Sequence, residues 1–123
     1  MAGVVHIPWY ATGLRSEKLA AALEEIAPVA LRYGATSYSV YRFRDDRYKF
    51  MQMAEFEDKA EFAAYWLGPE FIDMRVTASS WYQVPVLYGW TDLIASGTMA
   101  REPMAHSATG GPRGPEPGGD LAG

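Results

Sequence analysis

Residues 38–56, with the sequence YSVYRFRDDRYKFMQMAEF, decide the fold of this chain. Two runs rich in Tyr, Val, Phe and Met, residue types that favour β-strands, flank the pair Asp45-Asp46. Adjacent aspartates favour a tight turn because their carboxylates can accept hydrogen bonds from nearby backbone amides. The segment is therefore predicted to form a β-hairpin whose loop is Asp45-Asp46.

This loop position predicts which residues of the two strands lie opposite each other. With Asp45 and Asp46 in the loop, Tyr41 lies opposite Phe50. Side chains alternate between the two faces of a strand. One face then carries Ser39, Tyr41, Phe43, Tyr48, Phe50 and Gln52, and the other carries Tyr38, Val40, Arg42, Lys49, Met51 and Met53. Neither face is polar, so we expect helices to cover one face and a second subunit to cover the other.

A strand and a helix are predicted before the hairpin. Residues 4–10 form a short apolar run typical of a strand, and Ser16 is a candidate N-cap for the helix that follows. Pro28 should kink or divide this helix because it lacks an amide hydrogen, and Gly34 suits the left-handed conformation at its end. The buried stripe is predicted to consist of Leu19, Leu23, Ile26 and Ala30.

A second helix and a last strand are predicted after the hairpin. Asp58 followed by Glu61 resembles a capping box at a helix start. Gly68-Pro69 should interrupt this helix, with Pro69 at the first position of a second helical piece. Residues 82–94 are predicted to form the last strand, with Pro85 at an edge or near the strand's start.

The order strand, helix, strand, strand, helix, strand is typical of the ferredoxin-like α+β fold. We therefore expect a four-stranded antiparallel sheet with helices on one face, formed by residues 1–96. Residues 97–123 are predicted to be a disordered tail, because the Gly- and Pro-rich sequence at 110–119 cannot bury enough apolar surface to offset chain entropy.

Composition excludes several classes of function. A formal net charge of -4 argues against nucleic acid as the main partner. The absence of cysteine excludes disulfides and thiolate metal sites, and no pair of histidines has a spacing that favours a metal site. No apolar run approaches the length of about 18 residues typical of a membrane span, and the N-terminus lacks the features of a secretory signal. A soluble cytoplasmic protein is expected.

Residues 56–62 (FEDKAEF), Tyr65-Trp66 and residues 68–71 (GPEF) resemble the strand-to-helix passage of the dimeric α+β barrel superfamily. Within it, the chain most resembles the antibiotic biosynthesis monooxygenase-like domains. The resemblance implies a homodimer whose sheets pack face to face. It also implies a pocket in each subunit between the sheet and the helices.

Some members of that family oxidise aromatic polyketides without metal or flavin, using an Asn and a Trp four residues apart. The matching positions in this chain are Gln52 and Phe56. Gln52 retains an amide donor and acceptor, whereas Phe56 has no indole N–H to hold a substrate oxygen. Relatives that degrade haem use a His on the second helix, and this chain has none there.

Two candidate polar residues have both a functional and a structural interpretation. His6, the one histidine before the predicted tail, could act as a base or pocket donor, although a lone strand histidine is more often structural. Arg75 could bind a planar anion, or it could form an ordinary surface ion pair.

The predicted pocket combines aromatic walls with a few polar groups, as small-molecule sites do. Its candidate residues are His6, Tyr41, Gln52, Phe56, Phe62, Trp66, Arg75 and Trp81. One hypothesis is a protein that binds a hydrophobic aromatic small molecule, and that acts as a monooxygenase without a cofactor. The alternative is a non-catalytic ligand-binding or protein-interaction module of the same fold.

Overall fold

The computed structural model describes residues 2–101. The larger part of the predicted tail, residues 102–123, lies outside the described residues. The elements, in chain order, are β1 (Gly3–Tyr10), α1 (Ser16–Ile26), a 3₁₀ helix (Ala27–Tyr33), β2 (Ser37–Arg42), β3 (Lys49–Phe56), α2 (Lys59–Trp66), α3 (Pro69–Thr77) and β4 (Gly89–Thr91).

The strands form one antiparallel sheet with the order β2-β3-β1-β4. β1 pairs with β3 along its whole length, from Gly3 opposite Phe56 to Tyr10 opposite Lys49. β4 pairs with residues 4–6 of β1 on its other side. The helices pack on one face of this sheet, so the predicted ferredoxin-like α+β fold is confirmed.

The hairpin loop is longer than predicted, and the predicted register is wrong. The loop spans residues 43–48, closed by a hydrogen bond of 3.0 Å from the Phe43 amide to the Lys49 carbonyl. Asp46 does form a turn, because its carboxylate accepts from the Tyr48 amide at 3.1 Å. Tyr41 lies opposite Met51 rather than Phe50, and this shift of one residue moves the side chains of β2 to the other face.

The two faces of the sheet differ in burial. The face under the helices is buried, and it consists of Val5, Ile7, Trp9, Phe50, Gln52, Ala54 and Phe56. The opposite face, here called the outer face, is half-buried or exposed, and it includes Val4, His6, Pro8, Tyr10, Ser39, Tyr41, Met51 and Met53. The register thus puts Tyr41 on the outer face, away from Gln52.

The helix after β1 divides at the predicted place. α1 buries Leu19, Leu23 and Ile26, and the chain continues as a 3₁₀ helix that has Pro28 near its start. This helix ends at Gly34, whose φ of 107° lies in the left-handed region that glycine adopts without strain. Ala30 of this 3₁₀ helix is also buried, so the predicted apolar stripe is confirmed.

The predicted cap at Ser16 is wrong. Ser16 is the first residue of α1, and no side chain of residues 2–101 caps that end of the helix. Its hydroxyl accepts a hydrogen bond of 2.8 Å from the Arg42 guanidinium, which also pairs with Glu17 at 2.9 Å. The Ser16 hydroxyl therefore bonds to Arg42, which is distant in sequence, and does not cap the start of α1.

The predicted start and interruption of the second helix are confirmed. The Asp58 carboxylate accepts from the Glu61 amide at 3.1 Å, and the Glu61 carboxylate accepts from the Glu57 amide at 3.1 Å. α2 ends at Trp66, and α3 begins at Pro69 after Gly68 in an extended conformation. The bend between them lets both helices contact the same sheet.

The last strand is much shorter than the predicted residues 82–94. Tyr82 makes a single bridge to Ala11, and the Gln83 amide donates to the Tyr10 carbonyl at 2.8 Å. Pairing then stops, because Pro85 has no amide hydrogen to donate. It resumes only at Gly89, so residues 84–88 lie outside the sheet.

Candidate functional site

Side chains fill the space between the sheet and the helices, where the sequence predicted a pocket. The largest of them, each at most 2% exposed, are Trp9, Phe50, Phe56, Phe62, Tyr65 and Phe71. Their rings contact one another, with centroids 4.8 Å apart for Tyr65 and Phe71 and 5.9 Å apart for Phe56 and Phe62. This part of the molecule is a packed core.

Gln52 lies inside this core at 1% exposure, and its amide is hydrogen-bonded at both ends. Its oxygen accepts from the Trp9 indole N–H at 3.0 Å, and its nitrogen donates to the Tyr65 hydroxyl at 3.1 Å. The Tyr65 hydroxyl in turn donates to the Ile26 carbonyl at 2.7 Å. We call these four groups the Gln52 chain. The hydrogen bonds of the Gln52 chain connect β1, β3, α1 and α2.

Burial raises the pKa of the Tyr65 phenol well above its usual value. The phenolate would lose its hydration in the core, so the neutral form is favoured. Tyr65 therefore remains a hydrogen-bond donor at neutral pH and cannot serve as a base there. Its hydrogen-bond partners are consistent with a structural role for the Gln52 chain.

Arg75 lies at the edge of the core on the ring of Trp66. Its guanidinium carbon is 4.1 Å from the Trp66 ring centroid and 5.3 Å from that of Phe71. It also donates to the Trp66 carbonyl at 2.6 Å, and burial lowers its pKa. Within residues 2–101 it forms no ion pair with a carboxylate. The stacked guanidinium therefore holds α3 against α2.

The remaining predicted residues are dispersed. His6 lies on the outer face with Nε2 at 3.1 Å from the Thr91 hydroxyl, which donates its own hydrogen to the Val4 carbonyl. Nε2 is therefore the donor in the contact with Thr91. Tyr41, also on the outer face, is 58% exposed. The structure brings Gln52, Phe56, Phe62 and Trp66 together in or beside the core, with Arg75 adjacent, but it separates His6 and Tyr41 from them.

The candidate site is a groove of about 440 Å³ between α1 and α3, here called the α1–α3 groove. Ile26, Met74 and Ala78 lie along its floor, and Trp81 lies beyond the end of α3. Among residues 2–101, its lining consists of Ala21, Ala22, Glu25, Ile26, Val29, Glu70, Asp73, Met74, Thr77, Ala78 and Trp81. Trp81 is the one lining residue that the sequence also placed in a pocket.

Small residues on two separate helices could have indicated this groove. Ala21 and Ala22 on α1 and Ala78 next to α3 line the same groove, and short side chains leave space between two helices. The signal is weak because alanine is common in helices for its own conformational preference. Only the packing of α1 beside α3 turns these residues into a groove.

The charged groups that line the groove within residues 2–101 are carboxylates on both of its walls. Glu70 accepts a hydrogen bond of 2.6 Å from the Tyr33 hydroxyl, and that bond holds the pKa of Glu70 below its usual value. Arg32 lies 3.5 Å from the same carboxylate. Glu25 and Asp73 have no hydrogen-bond or ion-pair partner for their carboxylates within residues 2–101.

No three His, Asp or Glu side chains in residues 2–101 converge in a way that could hold a metal ion. None of the helices described there has both the length and the apolar character needed to cross a membrane.

No family model matches this sequence, and no curated protein is similar to it. Solved structures are similar in fold. A protein from Nitrosomonas europaea, provisionally named an antibiotic biosynthesis monooxygenase, aligns with a TM-score of 0.69 at 16% identity, over 78% of this chain and 94% of that one. A protein from Deinococcus radiodurans with the same provisional name aligns with a TM-score of 0.68 at 12% identity, over 81% and 99%.

A further Nitrosomonas europaea protein, of unknown function, aligns with a TM-score of 0.67 at 20% identity, over 81% of this chain and 97% of that one. The chain therefore shares the fold of these solved structures, two of which are provisionally named antibiotic biosynthesis monooxygenases. The fold that the resemblance implied is confirmed.

Proposed function

We propose that this protein is a homodimer that binds a flat hydrophobic small molecule in the α1–α3 groove of each subunit. The volume and the lining of the groove support this proposal. Its volume of about 440 Å³ falls in the range of roughly 300–1,000 Å³ typical of small-molecule sites. Its floor is apolar, and the ring of Trp81 offers a surface on which a planar compound can stack.

The outer face of the sheet supports the dimer. Tyr10 and Tyr41 are exposed on it, and Met51 and Met53 are only half-buried. Contiguous apolar surface of this kind marks an interaction site, because leaving it in water is unfavourable. A second copy that packed its own outer face here would bury both surfaces, in keeping with the superfamily to which the fold neighbours point.

Binding is tested by titrating the protein with naphthol and following tryptophan fluorescence. We expect naphthol to change the emission of the wild-type protein, and Trp81→Phe to remove most of that change. Trp90→Phe is the matched control, because Trp90 belongs to β4 and does not line the groove. Absence of binding to the wild-type protein would contradict the proposal and favour a protein-interaction module of the same fold.

The second candidate function is oxidation of the bound compound by molecular oxygen, without a cofactor. The provisional names of two fold neighbours favour it. An electron-rich phenol must lose a proton before such a reaction, and Glu25 and Asp73 are the groove carboxylates without a partner in residues 2–101. Oxygen consumption with a dihydroxynaphthalene tests it. If oxygen is consumed no faster than in buffer alone, the second candidate function is wrong and only the binding function remains.

A further inference from the structure

The lining of the α1–α3 groove has a single sign of charge. Glu25, Glu70 and Asp73 contribute carboxylates, and no Lys, Arg or His of residues 2–101 lines it. We propose that the natural ligand of this groove is an amphipathic organic cation, an amine carried on a flat apolar body. This inference rests on the proposed small-molecule binding and narrows the class of compound.

The carboxylates lie on opposite sides of the apolar floor. Glu25 belongs to α1, whereas Glu70 and Asp73 belong to α3. Residues three apart lie on the same face of a helix, so Glu70 and Asp73 project from one wall together. An ammonium group at the rim would therefore have acidic groups on both sides, while the body to which it is attached covered Ile26 and Met74.

The negative charge of the groove is only partly compensated within the subunit. Arg32 approaches Glu70, and the Tyr33 hydroxyl bonds to the same carboxylate. Glu25 and Asp73 have no such partner within residues 2–101. A carboxylate ligand would add a like charge to this rim, and a neutral ligand would leave it unchanged. Of these three kinds of ligand, only a cation would be attracted by the carboxylates of the groove.

The end of the groove already contacts a cation. The Lys18 ammonium lies 5.6 Å from the ring centroid of Trp81, within the range of a cation–π interaction. The face of this indole therefore accepts an ammonium group, and the amine of a ligand bound at this end would take the place of Lys18. An aromatic amine offers an ammonium group and a flat apolar body in a single compound.

The test compares three probes that share one aromatic body, namely naphthylmethylamine, naphthylmethanol and naphthoate, by calorimetry with the wild-type protein at neutral pH. An exposed carboxylate strengthens binding of a cation by about two- to fivefold. With two unpaired carboxylates, we expect the amine to bind about tenfold more tightly than the alcohol, and naphthoate to bind most weakly. Added salt should reduce the preference for the amine.

Matched variants locate the effect. Glu25→Gln and Asp73→Asn should each weaken binding of the amine by about two- to fivefold and leave binding of the alcohol unchanged. Glu24→Gln is the control, because Glu24 is also on α1 but lines a different hollow beside Val40. Loss of amine binding in Glu24→Gln to the same degree would overturn the assignment, since it would reflect the charge of the whole protein.

The outcomes separate this inference from the proposed function. If the alcohol binds as tightly as the amine, the groove binds small molecules but does not select cations, and the inference is wrong. If none of the three probes binds, the proposed function fails and the inference fails with it. Tight binding of naphthoate alone would overturn the inference and leave the groove as an anion site.

Discussion

The amide of Gln52 joins the indole of Trp9 to the phenol of Tyr65 in the middle of an apolar core. A leucine has a similar size but cannot bond to either group. Gln52→Leu should therefore lower the free energy of unfolding by about 1–3 kcal/mol, because the Trp9 N–H would be buried without an acceptor. Urea denaturation measures this change.

Met53→Leu is the control for the substitution at Gln52. Met53 lies next along β3 but on the half-buried outer face, and it has no polar group to satisfy. The exchange of these two apolar residues should change stability by less than about 1.5 kcal/mol. Equal stability of Gln52→Leu and the wild-type protein would show that the Gln52 chain adds nothing to the fold.

The pair Tyr33 and Glu70 predicts a dependence of stability on pH. The Tyr33 hydroxyl lowers the pKa of Glu70 below its ordinary value of 4.5 in the folded protein. This contribution to stability is present above the unfolded-state pKa and is lost as the pH falls through the folded-state pKa. Tyr33→Phe should make the melting temperature less sensitive to pH below about 4.5 than it is in the wild-type protein.

Melting curves recorded by circular dichroism from neutral pH into this acidic range check the prediction. Glu70→Gln should flatten the same part of the profile, since the amide does not titrate. Parallel acid profiles for the wild-type protein and both variants would argue against a role for this hydrogen bond.

The bend between α2 and α3 depends on a close approach at Gly68. A Cβ atom at this position would lie 2.5 Å from the Tyr33 hydroxyl oxygen and 2.9 Å from the Ala64 carbonyl oxygen. Its φ of -71° suits alanine, so the effect of a substitution is steric. Gly68→Ala should lower the free energy of unfolding by about 1–3 kcal/mol, as overpacking usually does.

Chemical denaturation of Gly68→Ala and Gly13→Ala side by side tests this explanation. A Cβ atom at Gly13 would meet no atom of the described residues within 4 Å, so that variant should keep the stability of the wild-type protein or exceed it slightly. A loss of equal size in both variants would point to backbone effects rather than to the contact with Tyr33.

At the scale of the whole molecule, the outer face should hold two subunits together. Tyr41 is 58% exposed in the single subunit, and it lies opposite Met51 on that face. Tyr41→Arg would bury a charge without a partner in the proposed dimer, at a cost too large for a stable interface. We expect light scattering to give the dimer mass for the wild-type protein and the monomer mass for the variant.

Val76→Arg is the matched control for the dimer. Val76 is 68% exposed on α3, on the helical side of the sheet, and should tolerate arginine without a change of mass. A monomer mass for the wild-type protein at micromolar concentration would contradict the proposed assembly.

The tail is proposed to be dispensable for folding. Residues 92–101 follow β4 without forming a further helix or strand, and residues 97–101 are exposed. A chain that ends at Gly97 should melt within a few degrees of the full-length protein, because little apolar surface would be lost. Differential scanning calorimetry of both chains tests the boundary. A fall of ten degrees or so would mean that the tail packs against the domain.

Local sequence determined the order of the elements and most of their ends. Pro28, Gly34 and Pro69 act through the conformation of their own backbone, and the cap at Asp58 involves a residue only three positions away. Such signals depend on few neighbours, so the sequence alone predicts them. The resemblance to a fold family rested on residues 56–62, Tyr65-Trp66 and residues 68–71.

Tertiary structure decided the register of the hairpin, the partners of Gln52 and the position of the groove. The register depends on the geometry of the whole loop at residues 43–48, and a shift of one residue exchanges the faces of β2. Gln52 is bonded to Trp9, 43 positions away, because the pairing of β1 with β3 brings the two together under the helices. The α1–α3 groove likewise exists only because helices far apart in sequence pack side by side, and no local pattern specifies the space between them.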